Sequence, residues 1–168
     1  MSKRIQNRVA ENLNPRDELL TKYKVDLPIE GGWGYQIEDA VVINRHHSSV
    51  DQELPFNGVA VERTFIQQRL YIELIQMESR KDELSGIKWT IKSQRLIHKE
   101  GKSFDYIECQ ATALKTEDWY LLKEIWEGPN GFQSPDFDKE NHLRLQKSKL
   151  LYFDCEYWFD ITSFNHNF

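Results

Sequence analysis

What this chain lacks narrows its chemistry. It has two cysteines in 168 residues, Cys109 and Cys155, and they form no C-x-x-C pair. Single cysteines inside strand-like runs read as small buried hydrophobes before metal or redox ligands, with a disulfide between adjacent strands as the remaining pairing. No run approaches the roughly 20 apolar residues of a membrane-spanning helix. The opening Met1-Ser2-Lys3-Arg4-Ile5-Gln6-Asn7-Arg8 is polar where a secretory leader is apolar, so a cytoplasmic protein without membrane contact is expected. No serine sits in a G-x-S-x-G elbow, and there is no H-E-x-x-H, which leaves acyl transfer and zinc proteolysis without a signature. No cofactor and no metal are expected, and no fixed-period repeat is present.

What is present is a folded, well-solvated composition: 39% hydrophobic, 12% aromatic and 29% charged residues. A chain of this length forms one domain, 1–168, since about 150 residues bury roughly 70% of their unfolded surface. Its net charge of -5 is unevenly spread: residues 1–25 carry six Lys/Arg against three acids, and residues 100–168 carry thirteen acids against seven Lys/Arg. Nucleic acid is therefore not the expected partner, because phosphate binding needs a concentrated cationic face.

Three of the eight glycines fall in Gly31-Gly32-Trp33-Gly34-Tyr35. Glycine beside large rings suits either a sharp turn with aromatic packing or a pocket rim. The cluster lacks G-x-G-x-x-G spacing and the ending of a P-loop, and it leads into an apolar strand predicted over Ile37–Ile43, where phosphate loops open a helix.

Ile5, Val9 and Leu13 predict a helical stripe, and Asn14-Pro15 predicts the start of a second helix through about Tyr23, so residues 1–25 read as a peripheral helical segment. Residues 44–58 read as a loop. Val59 and Val61 alternate like a short strand before a helix marked by Ile66, Leu70, Leu74 and Met77. Residues 87–114 form the best hairpin, with Ile87, Trp89, Ile91 and Ile97 alternating on one arm and Gly101 at the turn. Thr116 is expected to cap a helix presenting Trp119, Leu122 and Trp126, and Phe137–Ser148 reads as a weakly amphipathic helix or mobile arm. The run from Leu150 to Phe164 places Leu151, Phe153, Cys155, Tyr157, Phe159 and Ile161 on one side of a strand. One apolar sheet face under helices implies the α+β class, with an antiparallel sheet.

The opposite side of that last strand carries Asp154, Glu156, Trp158 and Asp160. Neighbours two apart lie about 6.6–6.8 Å from each other, which fits a paired-carboxylate site as well as a surface ion-paired to Lys88 and Lys92. A tryptophan among acids also fits a recognition anchor for a basic partner protein. The other constellation gathers Trp33, Tyr35, Asp39, His46, His47 and Asp51 in one region, and a small hydrolase or metal-dependent enzyme would use it. Adjacent histidines on extended chain point opposite ways, which favours a solvated loop. The reading that follows is a non-enzymatic protein-binding domain with its site at Asp154, Glu156, Trp158 and Asp160. Small acidic proteins that neutralise toxins have this general character, without a shared motif; the enzyme is the alternative.

Overall fold

A computed structural model describes residues 1–76 and 83–165. In chain order the elements are β1 (Ser2–Arg4), α1 (Pro15–Tyr23), β2 (Ile29–Gly31), a 3-10 turn (Ile37–Asp39), β3 (Val41–Ile43) and α2 (Gly58–Tyr71) running into a π turn (Ile72–Gln76). β4 (Leu84–Lys99), β5 (Lys102–Lys115), α3 (Thr116–Glu127), α4 (Lys139–Lys149) and β6 (Leu151–Asp160) follow. The fold is α+β: one six-stranded, mostly antiparallel sheet of order β2-β3-β6-β5-β4, with β1 also on β6. Among the described residues no helix is long and apolar enough to cross a membrane.

The alternation in β6 does what its sequence dictates. Phe153, Tyr157, Phe159 and Ile161 are buried, and Leu151 and Cys155 are half-buried. Antiparallel pairing aligns them with Ala111, Cys109 and Ile107 of β5. α2 lies over this face with Phe65 edge-on to Phe159 at 5.7 Å and Trp33 beside Phe65 at 6.0 Å. Leu27, Ile29 and Leu19 close the core at the β2 side.

Several expectations are corrected. Residues 5–13 form no helix: β1 pairs parallel with Tyr152–Asp154, so the N-terminal segment spends its backbone on the sheet and is helical only at Pro15–Tyr23. There Asn14 caps by accepting from Asp17 N at 3.1 Å. The predicted strand Ile37–Ile43 survives only as Val41–Ile43, because Asp39 accepts from the Gln36 amide at 2.7 Å and bends the chain into a 3-10 turn. Val59 and Val61 are helical from the outset, since the Asn57 side chain caps Ala60 N at 3.0 Å. Ile66, Leu70 and Leu74 are buried as expected, while Met77 lies outside the described residues.

The hairpin turns at Glu100-Gly101, both at positive φ, as a two-residue turn matching the twist of its strands requires. Ile97 does not share a face with Trp89 and Ile91, because a bulge between Ile91 and Ser93 inverts the alternation and pairs Ile97 with Phe104. Thr116 is the first helical residue of α3 instead of its cap, with its hydroxyl 2.8 Å from that of Ser85. α4 is packed: Asp138 caps it, and His142 is buried 5.2 Å from the ring of Trp126.

The glycine cluster is explained by the outer edge of β6. β1 covers Tyr152–Asp154 and β3 covers Phe159–Asp160, which leaves a gap in strand pairing between them. Gly34 fills it, accepting from the Trp158 amide at 2.9 Å, and a Cβ there would stand 2.8 Å from the Trp158 oxygen. Gly34 also has φ +78, whereas Gly101, at φ +75, has open space around the Cβ position. Gly101→Ala should therefore cost only the left-handed penalty of about 1–2 kcal/mol. Gly34→Ala should cost clearly more, and Gly34→Val more again. Chemical denaturation of the three variants checks this; equal small losses would mean that the approach to β6 is slack.

Candidate functional site

Antiparallel register sets Glu108 directly opposite Glu156 and Tyr106 opposite Trp158, on the sheet face turned away from α2. Two carboxylates so placed repel unless something bridges them. The Tyr106 hydroxyl does, 2.8 Å from an oxygen of each. A phenol has one proton, so it donates to one carboxylate at a time, and cations supply the rest: Arg4 lies 3.0 Å from Glu156 and Arg95 3.9 Å from Glu108. Ser93 donates to Glu108 at 3.0 Å. Hydrogen bonds from Tyr106 and Ser93 hold Glu108 below the usual carboxylate range, while burial, then the bond to Glu156, pushes the Tyr106 phenol up. Trp158, half-buried, packs against Tyr106 at a tilt of 43° with centroids 4.5 Å apart, and Arg95 lies over the same ring at 5.0 Å.

Of the four residues assigned to this face from sequence, Glu156 and Trp158 thus join one network through Tyr106, which pattern alone did not single out. Asp154 is exposed and has no ion pair among the described residues. Asp160 is buried at the strand end, where it accepts from the Thr162 amide at 3.0 Å and meets Lys102 at 3.7 Å. The cations paired with these acids are Arg4, Arg95 and Lys102. Lys88 and Lys92 are not among them.

Behind Glu156 the gap in the sheet edge is completed by Arg69 of α2, which is 2% exposed. It donates to the Trp33 oxygen at 2.9 Å and to the Glu156 backbone oxygen, and its guanidinium stacks between Tyr157 (3.7 Å) and Tyr35 (4.3 Å). Glu73 stands 3.4 Å from its Nε and accepts from the Tyr35 hydroxyl at 2.8 Å; burial pushes this carboxyl up against the pull of Arg69. The π turn carries Glu73, a common device where a helix serves a specific site. A cavity of about 30 Å³ between Arg4, Arg8, Tyr35, Glu73, Cys155 and Glu156 joins this buried pair to the surface network. It has room for about one or two water-sized molecules.

The residues of the alternative pocket do not converge. Trp33 is core, its indole donating to the Leu13 oxygen at 2.8 Å, and Tyr35 is committed to Glu73. Asp39 is a turn acceptor; His47 Nδ1 lies 2.8 Å from the Ser49 hydroxyl; Asp51 accepts from Glu53 N at 3.0 Å; and His46 is exposed. Among the described residues no three His, Cys, Asp or Glu side chains are grouped to hold a metal ion. Gly31 and Gly32 instead rim a cavity of about 300 Å³ with Lys102, Phe104 and Asp160, so the glycine segment is both turn and rim.

Sequence pattern also missed two features. α3 and α4 flank, with Lys88 and Thr112 of the sheet, an open groove of about 490 Å³ lined by Trp119, Leu122, Trp126 and Lys123. At the start of α2, Glu62 is 3% exposed beside Asp105 of β5. One signal existed: Glu62, Arg69 and Glu73 fall on the stripe of α2 and its π turn that Ile66 and Leu70 define, and a charge on an apolar stripe requires a partner. Comparison with known proteins gives no match, since no family model, curated protein or solved structure resembles the chain significantly.

Proposed function

We propose that this chain is a non-enzymatic, cytoplasmic binding domain that engages a basic partner protein through Asp154, Glu156 and Trp158, with Tyr106 and Glu108 beside them. The observation that carries the reading is the Tyr106-bridged carboxylate pair with a half-exposed tryptophan packed at a tilt against the Tyr106 ring. Fixed aromatic anchors ringed by charge are what recognition surfaces use, since the ring loses little freedom on binding and the charges orient the partner. The intramolecular cations do not block this. Arg4 has 66% and Arg95 65% of its side chain exposed, and exposed ion pairs contribute only about 0–1 kcal/mol, so a partner's arginine or lysine can displace them. Asp154, without an ion pair among the described residues, adds steering charge.

Tagged protein recovered from its native host, with mass spectrometry of what co-purifies, supplies the partner; association kinetics then test the face. Asp154→Lys should slow association several-fold and flatten its salt dependence, and Trp158→Ala should raise the dissociation rate tenfold or more. Asp154→Lys should leave the thermal midpoint nearly unchanged, and Trp158→Ala should lower it modestly through the lost contact with Tyr106 while the folded protein persists. If neither variant alters binding of a confirmed partner, the face is an ordinary ion-paired sheet surface.

A second reading is favoured by the 490 Å³ groove alone, which has the size of a small-molecule site. Tryptophan walls with Lys88 and Lys123 beside them suit an apolar ligand with an anionic end, although Glu127 also lines it. Dodecanoate quenching tryptophan fluorescence in the native protein, and failing to do so in Lys88→Glu/Lys123→Glu, would support it; no quenching of the native protein would dismiss it.

A further inference from the structure

The only two cysteines of the chain are register partners on β5 and β6, with both side chains on the face under α2. Register partners on antiparallel strands have Cα atoms about 4.5–5.5 Å apart, inside the roughly 4.4–6.8 Å window of a disulfide, a spacing that permits a bridge once the side chains turn toward each other. Both are free thiols: Cys109 is 2% exposed and Cys155 half-buried, its Sγ 3.6 Å from the Cys109 oxygen. The two thiols also lie within hydrogen-bonding reach of each other.

Their setting is not the inert apolar one that the strand pattern suggests. Cys155 lines the cavity of about 30 Å³ together with Arg4, Arg8, Arg69, Tyr35 and Glu73. That space admits a molecule the size of water or hydrogen peroxide and nothing much larger. Glu73, Asp154 and Glu156 line the same cavity and balance its three guanidinium groups, so the thiol faces a polar, ion-paired setting in which Arg69 favours the thiolate and Glu73 opposes it.

We propose that Cys109 and Cys155 are an oxidation site for small hydroperoxides, in which Cys155 is attacked from the cavity and Cys109 resolves the product into a cross-strand disulfide. The Cys155 thiolate attacks one peroxide oxygen and the O–O bond breaks, leaving a sulfenic acid on Cys155; the departing hydroxide takes up the proton Cys155 had lost and leaves as water. The Cys109 sulfur then attacks the sulfenyl sulfur, the S–O bond breaks, and the leaving hydroxide departs as a second water with the Cys109 proton. Two electrons pass from the thiol pair to one peroxide. The division of roles follows the surroundings. Cys155 is half-buried and lines the cavity, whereas Cys109 is 2% exposed and is not among the residues that line it; contact with Cys109, and then Arg69, also hold the Cys155 thiol below its ordinary value. The cavity borders the binding face at Arg4 and Glu156, but the chemistry does not rest on that face binding a partner.

The test uses the full native chain and millimolar hydrogen peroxide, read by intact mass and by peptide mapping without reductant. The expected result is a product lighter by two hydrogens, an internal Cys109–Cys155 link, and full reversal by dithiothreitol. Cys109→Ser should stop at a sulfenic acid on Cys155, trapped by dimedone, at least about tenfold faster than Cys109 is modified in Cys155→Ser. The wild-type mass decides even if a serine variant fails to fold. Two alkylatable thiols after peroxide treatment, or a link only between chains, would overturn the proposal, and equal labelling rates in the two serine variants would overturn the assignment of Cys155.

Discussion

Glu62→Gln should stabilise the protein at neutral and alkaline pH. Glu62 sits in the first turns of α2, 3% exposed, with one carboxyl oxygen lacking any hydrogen-bond partner among the described residues. Burial first, and then the adjacent Asp105, raise its pKa to about 9; Arg63 opposes this weakly. A carboxyl raised in the folded state is protonated there while the unfolded chain ionises near 4.5. Its contribution is therefore fully present below about pH 4.5 and is lost as pH rises towards 9, at up to about 1.4 kcal/mol per pH unit. Glutamine keeps the shape and neutrality of the protonated acid and has no proton to lose. At pH 8 the variant should exceed the wild type by on the order of a few kcal/mol, and the two should converge near pH 5. Urea denaturation from pH 5 to 9 measures both curves. Parallel curves would mean that the folded protein holds Glu62 ionised, with Arg63 as its counter-charge.

Why Glu62 was missed and β6 was not has one physical explanation. Alternation is a local property: six apolar side chains at every second position of Leu151–Ile161 leave a strand only one face to bury, so the face, and with it Glu156 and Trp158, could be read in advance. The same rule failed at Ile97, where one bulge after Ile91 inverts the phase and no residue type announces it. β1, β2 and β3 have three residues each, too few for any period to appear, and they exist through pairing with residues far along the chain.

The glycine segment shows where reading from sequence stops. Gly31–Tyr35 was legible as a place of close approach, because no other composition serves that need as well. What approaches it was not legible: Trp158 of β6 and Asp39 of the 3-10 turn, the latter 2.4 Å from where a Gly32 Cβ would stand. The candidate site has the same character. Asp154, Glu156 and Trp158 follow from one strand's alternation, but the second carboxylate of the pair, Glu108, the organiser, Tyr106, and the cations, Arg4 and Arg95, come from four other positions brought in by register. Arg4 reaches Glu156 only because the segment read as helix is a parallel strand.

Arg69→Met should be the most damaging single change near that site, by about 3–5 kcal/mol, because it leaves the Glu73 carboxylate buried without its cation. The informative comparison is with the double variant Arg69→Met/Glu73→Leu. A buried ion pair replaced by apolar groups of similar volume often costs little, so if Arg69 served only as the counterion of Glu73, the double variant would recover wild-type stability. The geometry points elsewhere. Arg69 also donates to the Trp33 and Glu156 backbone oxygens across the stretch of β6 that neither β1 nor β3 covers. Methionine donates to neither, and each buried carbonyl left unpaired costs roughly 1–3 kcal/mol. The double variant should therefore remain at least about 2 kcal/mol below wild type. Arg69→Lys should fall between, since one ammonium on a flexible stem does not reproduce a planar fork stacked between Tyr35 and Tyr157. A double variant as stable as wild type in guanidinium unfolding would show that the sheet edge closes without Arg69. A persistent deficit would identify this arginine as the group that stands in for the missing strand, directly behind the Glu156 and Trp158 surface.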